Sequence, residues 1–157
     1  MTLWGFAEER FALPGVAEQA VLLQDRHQVD VLMLLWSAWL AERGCIADEG
    51  LMKLALEQTE ALRRQLIVPL RAARRALKAT DGGTLDGYVA LMQRELAQER
   101  LQLGVLERLG DDTPQDGTVC ASEQRIIANL CCYWRSLGRV SDPLPGSIKA
   151  LGLALLA

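Results

Sequence analysis

The chain of 157 residues carries a single histidine, His27, and four cysteines, Cys45, Cys120, Cys131 and Cys132. One His and no Cys-x-x-Cys spacing leave no material for a metal cage, so no metal site is expected. Cys131 and Cys132 are adjacent and point to different sides of a helix. No spacing supports a Cys45–Cys120 bridge, and the thiols are expected to be inert in a reducing compartment. Strand signals are nearly absent: no Asn-Gly or Asp-Gly joins two alternating apolar runs. The longest apolar stretch, Val31 to Leu40, is far shorter than the roughly 20 residues of a membrane span. Glu8, Glu9 and Arg10 interrupt the N-terminus, which also lacks the basic start of a signal peptide, so the expected location is the cytoplasm. No Gly-rich phosphate loop or other cofactor motif appears, and no cofactor is expected. The net charge of −3 excludes a strongly basic nucleic-acid binder and an acidic tail protein as whole-chain descriptions.

What is present is a helical pattern. Half of the residues are hydrophobic and 24% are charged, the balance of a globular chain. Apolar residues recur at three and four along long segments. The expectation is an all-α protein, one domain over 1–157: a compact bundle of five to six helices. A short first helix follows Thr2 as cap, and a second spans about 16–27. Asp30 caps a helix to about residue 43, closed by Gly44. That third helix is apolar nearly all round, through Leu32, Leu34, Leu35, Trp36, Ala38, Trp39 and Leu40, and belongs at the centre of the bundle. Asp48 starts the longest segment, about 48–79, where Pro69 predicts a kink or restart. A loop at 80–84 ends in Thr84, a cap for the helix 85–109. Residues 110–121 read as a mobile loop, and Ser122 caps a further helix. The segment 143–157 is an apolar docking tail, for its own bundle or for a second copy.

Charge is laid down in blocks. Residues 1–50 hold eight acids and three bases, 51–80 two acids and seven bases, and 81–121 eight acids and three bases. At about 100° per residue, Arg63, Arg64, Arg71, Arg74, Arg75 and Lys78 share one arc, while Leu62, Leu66, Leu70, Ala73 and Leu77 share another. Arg outnumbers Lys on this face, which suits bidentate recognition of carboxylate or phosphate. The leading functional expectation is a non-enzymatic adaptor or regulator binding an acidic protein, or another polyanion, through this face. The alternative on the same face is an RNA- or ribosome-associated protein, although no aromatic residue interleaves with the arginines. A solvated face paired with neighbouring acids is the plainest reading.

Two polar spots interrupt the apolar stripes. Gln24, Asp25, His27 and Asp30 gather between the second and third helices. A His beside carboxylates is the arrangement of a general base, and Trp36 and Trp39 on the next helix offer stacking surface. This supports a third reading, a small ligand-binding protein or enzyme. The turn itself accounts for the same residues, with Asp30 as cap and His27 on a carbonyl, and no catalytic residue is assigned. Glu99 falls inside the stripe Leu85, Tyr88, Val89, Met92, Leu96, Leu103 and Leu106, with Glu95 at its edge. A buried carboxylate needs a partner, and Arg71 or Arg74 is expected to supply it.

Several of these segments together resemble a family of proteobacterial proteins known as a domain of unknown function. They are Trp4, Pro14 to Ala17, Leu23-Gln24-Asp25, Asp30-Val31 with Leu34-Leu35 and Trp39, Pro69-Leu70-Arg71 with Arg74-Arg75 and Leu77-Lys78, then Glu95-Leu96 and Glu99-Arg100. The resemblance covers roughly residues 4–135. It implies a bacterial cytoplasmic protein without signal peptide or cofactor motif, and no activity. The chain departs from the family pattern at Gln28, where Gly is preferred, and at Leu32, where Asn is preferred.

Overall fold

The computed structural model describes residues 1–79, 85–118 and 120–156. The described residues form an all-α bundle without strands. The elements are α1 (Leu3–Phe11), α2 (Val16–His27), α3 (Val31–Glu42), α4 (Glu49–Leu62), a π turn (Arg63–Ile67), α5 (Val68–Ala79), α6 (Leu85–Asp111), α7 (Ser122–Ser136) and α8 (Gly146–Ala154). Because α4, the π turn and α5 run on without a break, the helices among the described residues number seven, not five or six.

The centre is α3. Every residue from Leu32 to Ala41 is buried, and α1, α2, α6, α7 and α8 all pack on it. Asp30 caps it through Oδ1, which accepts from the Leu32 N–H at 3.0 Å. Gly44, with φ +79°, closes it. The helix needs no polar face because no side of it meets water. α6 comes close to it at Gly110, where a Cβ would stand 2.5 Å from the Trp39 ring. Asn129 of α7 ties the segment after α3 in place. Its Nδ2 donates to Ser37 O at 3.0 Å and Cys45 O at 3.3 Å, and its Oδ1 accepts from the Ala47 N–H at 2.8 Å.

The expected kink at Pro69 takes a different form. A proline cannot donate, and its ring crowds the carbonyl four residues back, here Gln65. The chain answers with the π turn directly before it, in which the Val68 N–H reaches back to Arg63 O. The helix widens locally and continues.

Thr2 and Asp48 cap α1 and α4 as the sequence indicates. Ser122 does not cap α7: Ala121 holds the N-cap position, and Gln124 Oε1 accepts from its N–H. The loop at 80–84 and the Thr84 cap lie outside the described residues. Of the stretch read as a mobile loop, Gly110 and Asp111 belong to α6, and the Asp116 N–H donates to Gly44 O at 2.8 Å. The C-terminal tail docks on its own bundle. α8 lies on α2, α3 and α7 and buries Ile148 and Leu151, and Leu155 just beyond its end is buried too.

Candidate functional site

Among the described elements the backbone of α5 lies close only to α6 and the π turn, so α5 and the first half of α6 stand out from the bundle as a helical arm. None of residues 68–78 of α5 is buried, and in α6 the only buried residue before Gln102 is Glu95. The apolar stripe expected on α6 is uncovered along the arm: Leu85, Val89, Met92 and Leu96 are exposed, and only Leu103 and Leu106 reach the core. Leu66 on the π turn is exposed as well.

Charge takes the place of an apolar core in this arm. Glu95, 6% exposed, accepts from Arg71 Nε at 2.9 Å and from Arg74 Nε at 2.6 Å. Arg71 also donates through Nη2 to Glu99 at 2.8 Å, so one guanidinium spans two carboxylates. Burial opposes ionisation of Glu95, but Arg74 and Arg71 outweigh it and hold its carboxyl below the usual range. Glu99 goes the other way. Burial pushes its carboxyl up against the pull of Arg71, and the charges of Glu95 and Asp30 add to the rise. The sequence pairing of these acids with Arg71 and Arg74 is found; Glu95 is the less exposed to solvent, and Glu99 is the one whose burial outweighs its arginine.

Between this arm and the bundle lies a cleft of about 550 Å³. Val21 of α2 and Val89, Met92 and Leu96 of α6 form apolar walls, while Arg71, Arg74, Arg75, Glu95 and Glu99 supply the charge. Arg75 crosses to the bundle, with Nη1 donating to Asp25 at 2.9 Å. Each of the three guanidiniums of the lining is thus paired, Arg71 and Arg74 with Glu95 and Glu99 and Arg75 with Asp25. Over the arm as a whole the bases prevail: residues 68–101 contain six Lys and Arg against four Asp and Glu, and the rest of the chain eleven against sixteen.

The six basic residues do not form one ridge. The π turn changes the helical phase after Arg63 and Arg64, so the regular 100° step that aligned all six does not hold across it. Arg63 lines a separate cleft with Arg135 and Leu137, and Arg64 pairs with Glu60 at 2.9 Å. Arg71 and Arg74 are engaged inside the arm, Arg75 pairs with Asp25, and Lys78 is exposed.

The polar cluster between α2 and α3 disperses. Gln24 lines the cleft and Asp25 stands at its edge beside Arg75. His27 turns to the opposite side, edge-on to Trp134 at 6.0 Å. Asp30 faces inward: its N–H donates to Tyr133 Oη at 2.7 Å, and its Oδ2 accepts from Gln102 Nε2 at 2.6 Å. Trp36 and Trp39 are core residues, not a stacking surface. Among the described residues no group of three or more His, Cys, Asp or Glu is placed to hold a metal ion.

Sequence reasoning missed the walls of the cleft. Val89, Met92 and Leu96 fit a core-facing stripe by spacing; the signal against that reading is the lack of a neighbouring segment to cover them. Tyr133, Gln102 and Asn129 were missed because their side-chain hydrogen bonds run to residues at least 72 positions away.

A family model described as a protein of unknown function (DUF2390) matches residues 2–106, more than half of the chain, and the chain belongs to that family. The matched segment contains all of the cleft and the arm and ends within α6. No curated protein and no solved structure matches. Among the described residues no helix is long and apolar enough to cross a membrane.

Proposed function

We propose that this member of the family is a non-enzymatic adaptor that receives an amphipathic, acidic helix of a partner protein in the cleft between α2 and the arm. One observation carries the reading: apolar Val21, Val89, Met92 and Leu96 stand exposed around a cleft whose arm side, residues 68–101, is of net positive charge in a protein of net negative charge. Helix-in-groove recognition needs those two properties together, an apolar strip and a complementary charge. The cationic side supplies steering and register, and the apolar strip supplies the greater part of the affinity.

The reading places the site on different atoms from a bare arginine face. Arg71 and Arg74 are committed to Glu95 and hold the arm together, so their replacement would disturb the fold of the arm itself. The exposed Met92 and Lys78 are the discriminating positions. A photo-crosslinking residue at Met92 is expected to trap, in the native host, a protein segment rich in Asp and Glu, with capture falling as salt rises. Lys78→Glu is expected to reduce that capture. Crosslinks that are insensitive to salt, or that join only to nucleic acid, would overturn the reading.

A further inference from the structure

A second cavity, of about 260 Å³, adjoins the cleft. Its apolar lining comes from Trp4, Ala7 and Phe11 of α1, Leu32 of α3, and Leu96 and Leu103 of α6. Phe11, Leu32, Leu96 and Glu99 border both spaces, so the cavity is a side extension of the cleft, with the carboxylates of Glu8 and Glu99 at its polar edge. An apolar cavity of about 150 Å³ accommodates a benzene ring, so this one has room for a phenyl or indole group. Trp4 offers a ring to such a group and is itself held by the Arg100 guanidinium, 4.7 Å from its centroid. Leu96, half exposed, stands where the cavity meets the cleft.

We infer that the partner helix is anchored by one aromatic side chain, Phe or Trp, seated in this cavity, with its carboxylates directed toward the positively charged arm. The inference rests on the docking reading above and names the partner's chemistry. An aromatic side chain placed in a desolvated pocket at the middle of an interface is the usual form of a binding hot spot. Packing against Trp4 adds aromatic contact to the area buried. The excess of positive charge over the arm selects the acidic residues beside the anchor.

The test is selection from a random display library of helical peptides on the full chain. Peptides enriched by the wild-type protein are expected to share one Phe or Trp and several Asp or Glu. Two variants close the cavity: Ala7→Phe fills it from inside, and Leu96→Trp covers it from an exposed position that the fold tolerates. Either is expected to weaken the selected peptides by about tenfold or more, roughly 1.4 kcal/mol. A folded variant is confirmed by its thermal melt; if Ala7→Phe does not fold, Leu96→Trp decides. Met92→Glu, which places an acid on the cleft wall, is expected to weaken them as well.

Enriched peptides without an aromatic preference, or unaffected by the closing variants, would overturn the anchor and leave the docking reading standing. No enrichment on the wild-type protein, or enrichment indifferent to Met92→Glu, would overturn both. Binding of indole alone, without any selected peptide, would assign the cavity to a small aromatic molecule and also overturn the inference.

Discussion

The Arg71 Nε donates to Glu95 Oε1 at 2.9 Å, at the level of the arm where two packed helices ordinarily meet through apolar side chains. Replacing the acid leaves two guanidiniums facing each other. Glu95→Gln is expected to cost about 2 kcal/mol, between the limits for exposed and fully buried pairs. The cost falls on the arm, because the core around α3 does not involve it. Amide hydrogen exchange is expected to accelerate in 68–79 and 85–101 and to stay unchanged in 32–41. Equal acceleration in both regions would show that the arm is not a separate unit.

Glu99 and Glu95 act on stability in opposite senses. The Glu99 carboxyl is raised, so its ionisation favours the unfolded chain, and stability declines as pH climbs past the unfolded value of about 4.3 toward the folded one. Glu95 is depressed, so its contribution is present above about 4.3 and disappears as pH falls through the folded value. The groups facing Glu99 are Arg71 of α5, Glu95 of α6 and Asp30 before α3, and Glu8 of α1 lines the adjoining cavity with it. Glu99→Gln is expected to melt higher than the parent at pH 7 and to match it at pH 3. A variant that melts lower at pH 7 would show that the Arg71 contact outweighs the burial.

Asn129 is fully buried with three backbone partners. Asn129→Leu removes all three hydrogen bonds and strands the Ala47 N–H in the interior. The expected loss is about 3 kcal/mol, read from urea unfolding. A loss under about 1 kcal/mol would mean that the segment 45–47 finds other partners.

Gln28 is the single non-glycine residue with positive φ among the described residues, at +55°, at the C-cap of α2. A side chain there carries the left-handed penalty that glycine avoids. The left-handed backbone here is the conformation that glycine adopts at least cost. Gln28→Gly is expected to stabilise the protein by about 0.5–1 kcal/mol, raising the melting temperature by a few degrees. An unchanged or lower melting temperature would show that the contact from Gln28 Nε2 to Asp25 O, 3.0 Å, offsets the strain.

Gly110 tests the approach of α6 to α3. Alanine gains about 1 kcal/mol in helix propensity but sets its Cβ 2.5 Å from a ring carbon of Trp39 and 3.1 Å from Leu40. Both neighbours are buried with no room to retreat, so Gly110→Ala is expected to destabilise by about 1–3 kcal/mol. Calorimetry decides the sign.

The helices, most of their caps and the central place of α3 were legible, because each follows from local spacing and from residues within a turn of one another. The Val16–His27 helix and the caps Asp30 and Asp48 are of this kind. The pairing of Glu95 and Glu99 with Arg71 was legible from a physical rule, that a carboxylate in an apolar stripe needs a partner. The cleft was not. An apolar stripe has the same spacing whether a neighbour covers it or not, and the exposure of Met92 is a fact of tertiary arrangement. The six-residue ridge failed for a related reason: a kink at Pro69 was expected, but not the π turn at 63–67 that shifts the helical phase before it.

That turn has a consequence of its own. A π turn amounts to one residue more than an α-helix needs, so α4 and α5 stand about 100° out of phase with each other. Met52, Ala55 and Thr59 can face the core while Arg71 and Arg74, on the same rod, face Glu95. A one-residue deletion within 63–67 would restore an unbroken winding and swing the two arginines a quarter turn or so away from their acid, turning a single-codon event into a rewiring of the whole cleft.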